Sequence, residues 1–141
     1  MGKHNHLSSP NYQQGFTLLE LLVVLMIIAL LAGFVGPRIF SNVDSAKEKT
    51  ALRQMHSLAD ALGQYRLDTG SYPTESQGLN ALTEQPSDST SWHGPYLTQQ
   101  VPLDPWGNPY QWHNPTREKN SVNEVDITSG GKDGNSIVYG F

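Results

Sequence analysis

The sequence contains no cysteine. Disulfides and thiolate metal sites are therefore excluded, while the compartment is left open. Charge is also scarce: 9 Lys and Arg stand against 13 Asp and Glu in 141 residues, and the net charge is -4. The basic residues do not cluster, which argues against nucleic acid as a partner. No GxSxG, HExxH, glycine-rich phosphate loop or nucleophile constellation occurs, so nothing points to an enzyme. Five histidines are scattered at His4, His6, His56, His93 and His113, with no ligand spacing after the N-terminal region. Polar side chains are missing most completely from one stretch, Phe16 to Val35, where the only strongly polar group is Glu20.

At about 1.5 Å per residue, about 20 helical residues rise about 30 Å, the depth of a bilayer core. The run is apolar on every face, and a helix satisfies its own backbone in lipid. A buried core helix is the soluble alternative, but the rest of the chain has too little apolar sequence to wrap one. Glu20 is the anomaly, because an acid at the centre of a membrane segment costs about 2.5–3.5 kcal/mol. Near the end of the segment it costs less and can snorkel. Cleavage after Gly15 would free an α-amine on Phe16, four residues from Glu20 and on the same helix face. The two charges would pair within one chain, or between chains, where they would set an axial stagger. An ordinary signal peptide needs a shorter apolar stretch and a small-residue site after it. Here Ala29, Ala32 and Gly33 make a poor site, and the leader offers only Lys3 with His4 and His6.

Gly15-Phe16-Thr17-Leu18-Leu19-Glu20, ahead of that run, resembles the leader junction of type IV pilins and type II secretion pseudopilins. The resemblance implies cleavage between Gly15 and Phe16 by a membrane-embedded prepilin peptidase, N-methylation of Phe16, and Glu20 as the acid that recognises a neighbour's terminus. It also implies an α+β, type IV pilin-like fold: a long N-terminal helix, half membrane and half amphipathic, on a small antiparallel sheet. The chain then divides into a leader at 1–15, a transmembrane or filament-core helix at 16–35, and a periplasmic domain at 36–141. Counting Lys3 before the run against Arg38, Lys47, Lys49 and Arg53 after it gives the opposite orientation. The resemblance is preferred, because the later charges alternate with Asp44 and Glu48 on an amphipathic helix.

That helix is predicted from about Arg38 to Asp68, in line with the first. Ile39, Phe40, Val43, Ala46, Leu52, Met55, Leu58, Ala59, Leu62 and Tyr65 recur mostly at three and four. Pro37 predicts a kink or a locally melted stretch from Gly33 to Pro37; the resemblance adds that this region loses helix and lets the subunit stretch in the filament. Gly70 is the predicted cap. Thr74 and Gln77 have capping-box spacing, so a short helix is predicted to about Glu84. Four prolines from Pro95 to Pro109 exclude helix and favour a stiff loop, anchored by Trp106. Strands are predicted at Tyr110–His113, Val122–Thr128 and Ser136–Tyr139.

Leu67-Asp68-Thr69-Gly70-Ser71-Tyr72-Pro73-Thr74, Gln77-Gly78-Leu79-Asn80-Ala81-Leu82 and Asp104-Pro105-Trp106-Gly107-Asn108-Pro109-Tyr110 narrow the resemblance to the G-type pseudopilins. That group carries calcium between its last strands, so the resemblance implies a calcium ligand at Asp133, with Asp126 and Asn135 as the other candidate oxygens. The second acid of the family loop is missing here. A hairpin turn with Asp133-Gly134 at its tip is the simpler reading.

The expected function is structural. The subunit would polymerise into a periplasmic pseudopilus that drives folded proteins across the outer membrane. Expected partners are further copies of the chain in a helical homopolymer, minor pseudopilins, the prepilin peptidase, an inner-membrane assembly platform and the membrane, with a cytoplasmic ATPase as energy source. Expected localisation is the bacterial inner membrane, single-pass, with the C-terminal domain in the periplasm. A type IV pilus subunit or minor pseudopilin, and an anchored or secreted binding domain with an ordinary signal, are the alternatives.

Overall fold

The computed structural model describes residues 1, 2 and 15–141. Lys3, His4, His6 and the rest of the expected leader up to residue 14 lie outside the described residues. The chain divides into two compact units, Met1–Phe40 and Ser41–Phe141. One helix, α1 (Leu18–Thr69), runs through the boundary with Pro37 inside it. The stretch from Gly33 to Pro37 is helical, so of the predicted kink or melted stretch the melted form is absent. One proline removes one backbone bond, and the helix continues past it.

In the first unit nothing described is buried. An 18-residue window of α1 there has a mean hydropathy of 2.9, with none of it covered.

In the second unit α1 becomes amphipathic. Ala51, Met55, Leu58, Ala61, Leu62 and Tyr65 are buried, at spacings of three and four. The predicted inward set began too early: Ile39, Phe40, Val43 and Leu52 are exposed, and the core starts at Ala51. Periodicity alone does not reveal how far along a helix its partners reach. Gly70, at φ +87°, ends α1, and its N–H donates to the Arg66 carbonyl at 2.8 Å.

The predicted second helix is shorter than expected. Thr74 and Gln77 do form the capping box, at 2.8 and 3.2 Å. Gly78 then adopts φ +63° and ψ -169°, a region open almost only to glycine, and interrupts the helix. Beyond it the chain makes a single 3-10 turn, Leu79–Leu82, which buries Leu79, Ala81 and Leu82.

The sheet has three antiparallel strands in the order β1 (Gln111–His113), β2 (Asp126–Lys132) and β3 (Asn135–Gly140). Ile127, Trp112 and Tyr110 join Val125 in one core with Met55, Leu58 and Leu62. Burying each such large apolar side chain contributes about 1.5–3 kcal/mol. The Trp112 indole N–H donates to the Pro73 carbonyl at 3.0 Å, and the Tyr110 hydroxyl to Gln54 at 2.5 Å.

The middle strand is displaced from its predicted place at Val122–Thr128. Val122 is fully exposed, and the N–H groups of Glu124 and Val125 both donate to the Phe141 carbonyl, off the main ladder. Ser129-Gly130-Gly131, which reads as a turn, is strand instead. A bulge between Ser129 and Lys132 accommodates it, with Gly131 at φ +65°. A Cβ at Gly131 would stand 1.8 Å from the Asn135 carbonyl oxygen, so the close approach of the two strands requires glycine.

The proline-rich segment is held by one carboxylate. Asp104 is buried and accepts from the Ser129 hydroxyl at 2.6 Å and from the N–H groups of Trp106 and Asn108 at 3.1 and 2.8 Å. Burial pushes its pKa up, but these donors outweigh burial and leave it below the usual value. Burial, with the nearby Asp104 charge, pushes the Tyr110 phenol up to about 12.

Candidate functional site

The start of α1 carries the groups singled out at the leader junction. Thr17 precedes the first helical residue and Glu20 stands three positions on. The Glu20 N–H donates to the Thr17 hydroxyl at 3.2 Å, and the Thr17 N–H donates to Glu20 Oε2 at 3.2 Å. This reciprocal pair is a capping box. It satisfies two of the four orphan N–H groups at the helix end and places a carboxylate at the positive end of the helix dipole. The sequence carried the signal as T-x-x-E, which the apolar run around it obscured.

Phe16, Glu20, Leu21 and Val24 line one shallow depression. The backbone nitrogen that cleavage would convert into an amine therefore belongs to a residue beside the Glu20 carboxylate. One carboxylate oxygen receives the Thr17 N–H. A carboxylate accepts about four hydrogen bonds, so capacity remains for an ammonium group. Pro37, the other position that the resemblance implies for assembly, lies 17 residues beyond Glu20 along the same helix.

The candidate calcium oxygens do not converge. Asp133 and Gly134 form the tip of the β2–β3 hairpin, at φ +52° and +80°, with Lys132 paired to Asn135 across the tip. That is the two-residue turn predicted as the simpler reading, with positive φ at both positions. Asp126 starts β2, six residues from Lys132, which is about 20 Å at strand rise. Its carboxylate is already occupied. It accepts from His113 Nδ1 at 2.5 Å, the Thr116 hydroxyl at 2.6 Å, the Arg117 N–H at 2.8 Å and the Thr128 hydroxyl at 3.3 Å. Burial pushes the Asp126 pKa up, and the bonds from Thr116, His113 and Arg117 more than reverse it. The ionised acid can only accept, so His113 Nδ1 carries the proton between them. Among the described residues no three His, Asp or Glu side chains gather around one point.

The Asp126–His113 pair and the Asp104–Ser129 bond escaped the sequence reading. Their members are 13 and 25 residues apart: the β1–β2 register brings His113 to Asp126, and the packing of the proline-rich segment brings Asp104 to Ser129.

Residues 38–139 match the family described as type II secretion system (T2SS), protein G. The chain belongs to that family. Residues 10–36 also match the prokaryotic N-terminal methylation motif. The type II secretion system core protein G of Aeromonas hydrophila is 39% identical over 125 residues, covering 86% of this chain and 85% of that protein. That of Pseudomonas aeruginosa is 38% identical over 127 residues, covering 88% and 89%. The major pseudopilin from the type 2 secretion system of enterohaemorrhagic Escherichia coli is similar in structure, with a TM-score of 0.62 and 33% identity over 70% of this chain and 86% of that one. The expected pilin-like α+β fold and the G-type resemblance both hold. The protein G match also decides against a pilus subunit as the runner-up.

Proposed function

We propose that this protein is the major structural subunit of a type II secretion pseudopilus, and that Glu20 is its assembly contact. The observation behind this reading is an acid fixed by a capping box at the start of an uncovered apolar helix, lining one depression with Phe16. Prepilin peptidase cuts between Gly15 and Phe16 and N-methylates Phe16. The new ammonium of one subunit then meets the free lone pairs of Glu20 on its neighbour. In a low-dielectric surrounding this attraction is strong, and an unpaired charge is costly, so the pair selects one axial stagger. Apolar faces of successive helices cover one another in the filament core, with Pro37 as the point where the helix is weakest. Growth at the inner-membrane platform, powered by a cytoplasmic ATPase, pushes folded proteins through an outer-membrane channel. The domain from residue 36 onward lies in the periplasm, and minor pseudopilins join the fibre. The chain performs no catalysis of its own.

Glu20→Val tests the central contact. Removal of the leader should proceed normally, shown by N-terminal sequencing that begins at methylated Phe16, while filaments and secretion are lost. Normal secretion by the Glu20→Val strain would refute charge pairing. A mature terminus near residue 34, or an intact Met1, would refute the processing step and favour an ordinary signal.

A further inference from the structure

The G-type resemblance implies calcium in the loop between the last two strands, but this hairpin has no loop to hold it. Its tip is two residues long, Asn135 faces Lys132 across the ladder, and Asp126 is spent on four donors at the far end of β2. Calcium requires six to eight oxygens around one point. The tip instead holds a cation of its own. Lys132 Nζ donates to Asp44 Oδ2 of α1 at 2.5 Å, which ties the hairpin to the helix across 88 residues of sequence. The hydrogen bond and charge of Asp44 raise the Lys132 pKa, with smaller pulls from Asp133 and Glu48.

We infer that this pseudopilin closes its C-terminal hairpin without a divalent cation, and that the Lys132 ammonium supplies the positive charge that holds the hairpin tip against Asp44. An ammonium on a tethered stem needs only one or two acceptors, whereas calcium needs a cage. Gly131, at its positive φ, lets the bulged strand turn Lys132 toward α1. If the subunit assembles as proposed above, growth of its fibre requires no periplasmic calcium for subunit folding.

The test is thermal unfolding of the purified full-length chain in detergent, in excess calcium and in excess EGTA. This reads the folded subunit alone, so its outcome is independent of whether Glu20 mediates assembly. A site filled to a hundred times its Kd would raise Tm by about 10 °C or more in a domain of this size. The expected difference between the two buffers is below about 1 °C, and a calcium-dependent rise of several degrees overturns the inference. In a second arm, Lys132→Met, which keeps the apolar stem, lowers Tm by a few degrees in both buffers, and Lys132→Arg restores most of it. A Lys132→Met protein with unchanged Tm would remove the role given to the ammonium.

Discussion

Leu25 and Leu62 lie on the same helix, and they do opposite things. Leu62 is 0% exposed and touches a core made by the sheet, while Leu25 is 65% exposed, as are most of its apolar neighbours in the first unit. In the second unit a core of hydrophobic residues is covered by the chain itself, although Val43, Leu52 and Val122 stay exposed. Those in the first unit have no internal partner among the described residues, so their burial must come from lipid or from other subunits. The polar groups differ in the same sense. Asp126 accepts from four donors and Asp104 from three within their own domain, whereas Glu20 accepts one and stands at an exposed helix start. A single chain thus holds one region that is complete by itself and one that becomes complete only in company.

Leucines in the two stretches of α1 should respond differently to truncation. The largest expected effect on the domain is from Leu62→Ala, at about 2–5 kcal/mol for a fully buried leucine. Its denaturant midpoint should fall sharply, while Leu25→Ala should leave the same midpoint unchanged. Equal effects would mean that the two stretches of α1 do not differ in what covers them.

Asp126→Asn should cost about 1–3 kcal/mol, because one amide cannot accept from all four donors. This change also predicts a pH effect. The Asp126 pKa is depressed on folding, so its contribution is present above the unfolded value of about 3.9 and is lost as pH falls below it. Asp104 acts in the same direction. Acid unfolding of the Asp126→Asn protein should therefore begin from a lower plateau and fall less steeply. An unaltered acid limb would show that the pair contributes nothing to linkage.

The smallest effect belongs to the Arg66–Glu124 ion pair. It is 2.9 Å long but exposed on both sides. Glu124→Gln should leave Tm unchanged within measurement and insensitive to added salt. A clear, salt-dependent loss would mean that the surface of this domain carries a real share of its stability beside the core.

How much could be read beforehand depended on the range of each interaction. The apolar run, the helix cap at Gly70, the capping box at Thr74 and the Asp133-Gly134 tip are encoded within a few residues, and each formed as read. The short helix after Thr74 failed for an equally local reason, the special backbone of Gly78, whose Gln77-Gly78 sequence gives little warning of it. The β2 displacement was harder. Ser129-Gly130-Gly131 has the composition of a turn, and only the approach of Asn135 reveals why glycines were needed inside a strand. At the start of α1, the shared face of Phe16 and Glu20 was legible from spacing, whereas the reciprocal bonding of Thr17 with Glu20 was hidden by an apolar background. The proposed calcium oxygens were close in sequence, and the extended strand separated them.

Asp104 gives the proline-rich segment a behaviour that its irregular backbone conceals. The amides of Trp106 and Asn108 belong to no ladder, yet both donate to a buried carboxylate that is itself held by Ser129 of the central strand. Their release to solvent leaves a buried carboxylate, tied to β2 through Ser129, short of two donors. In hydrogen exchange they should therefore open together with the sheet, as one cooperative unit, and not on the fast timescale of a surface loop. A region with no regular secondary structure would then report the global unfolding of the domain.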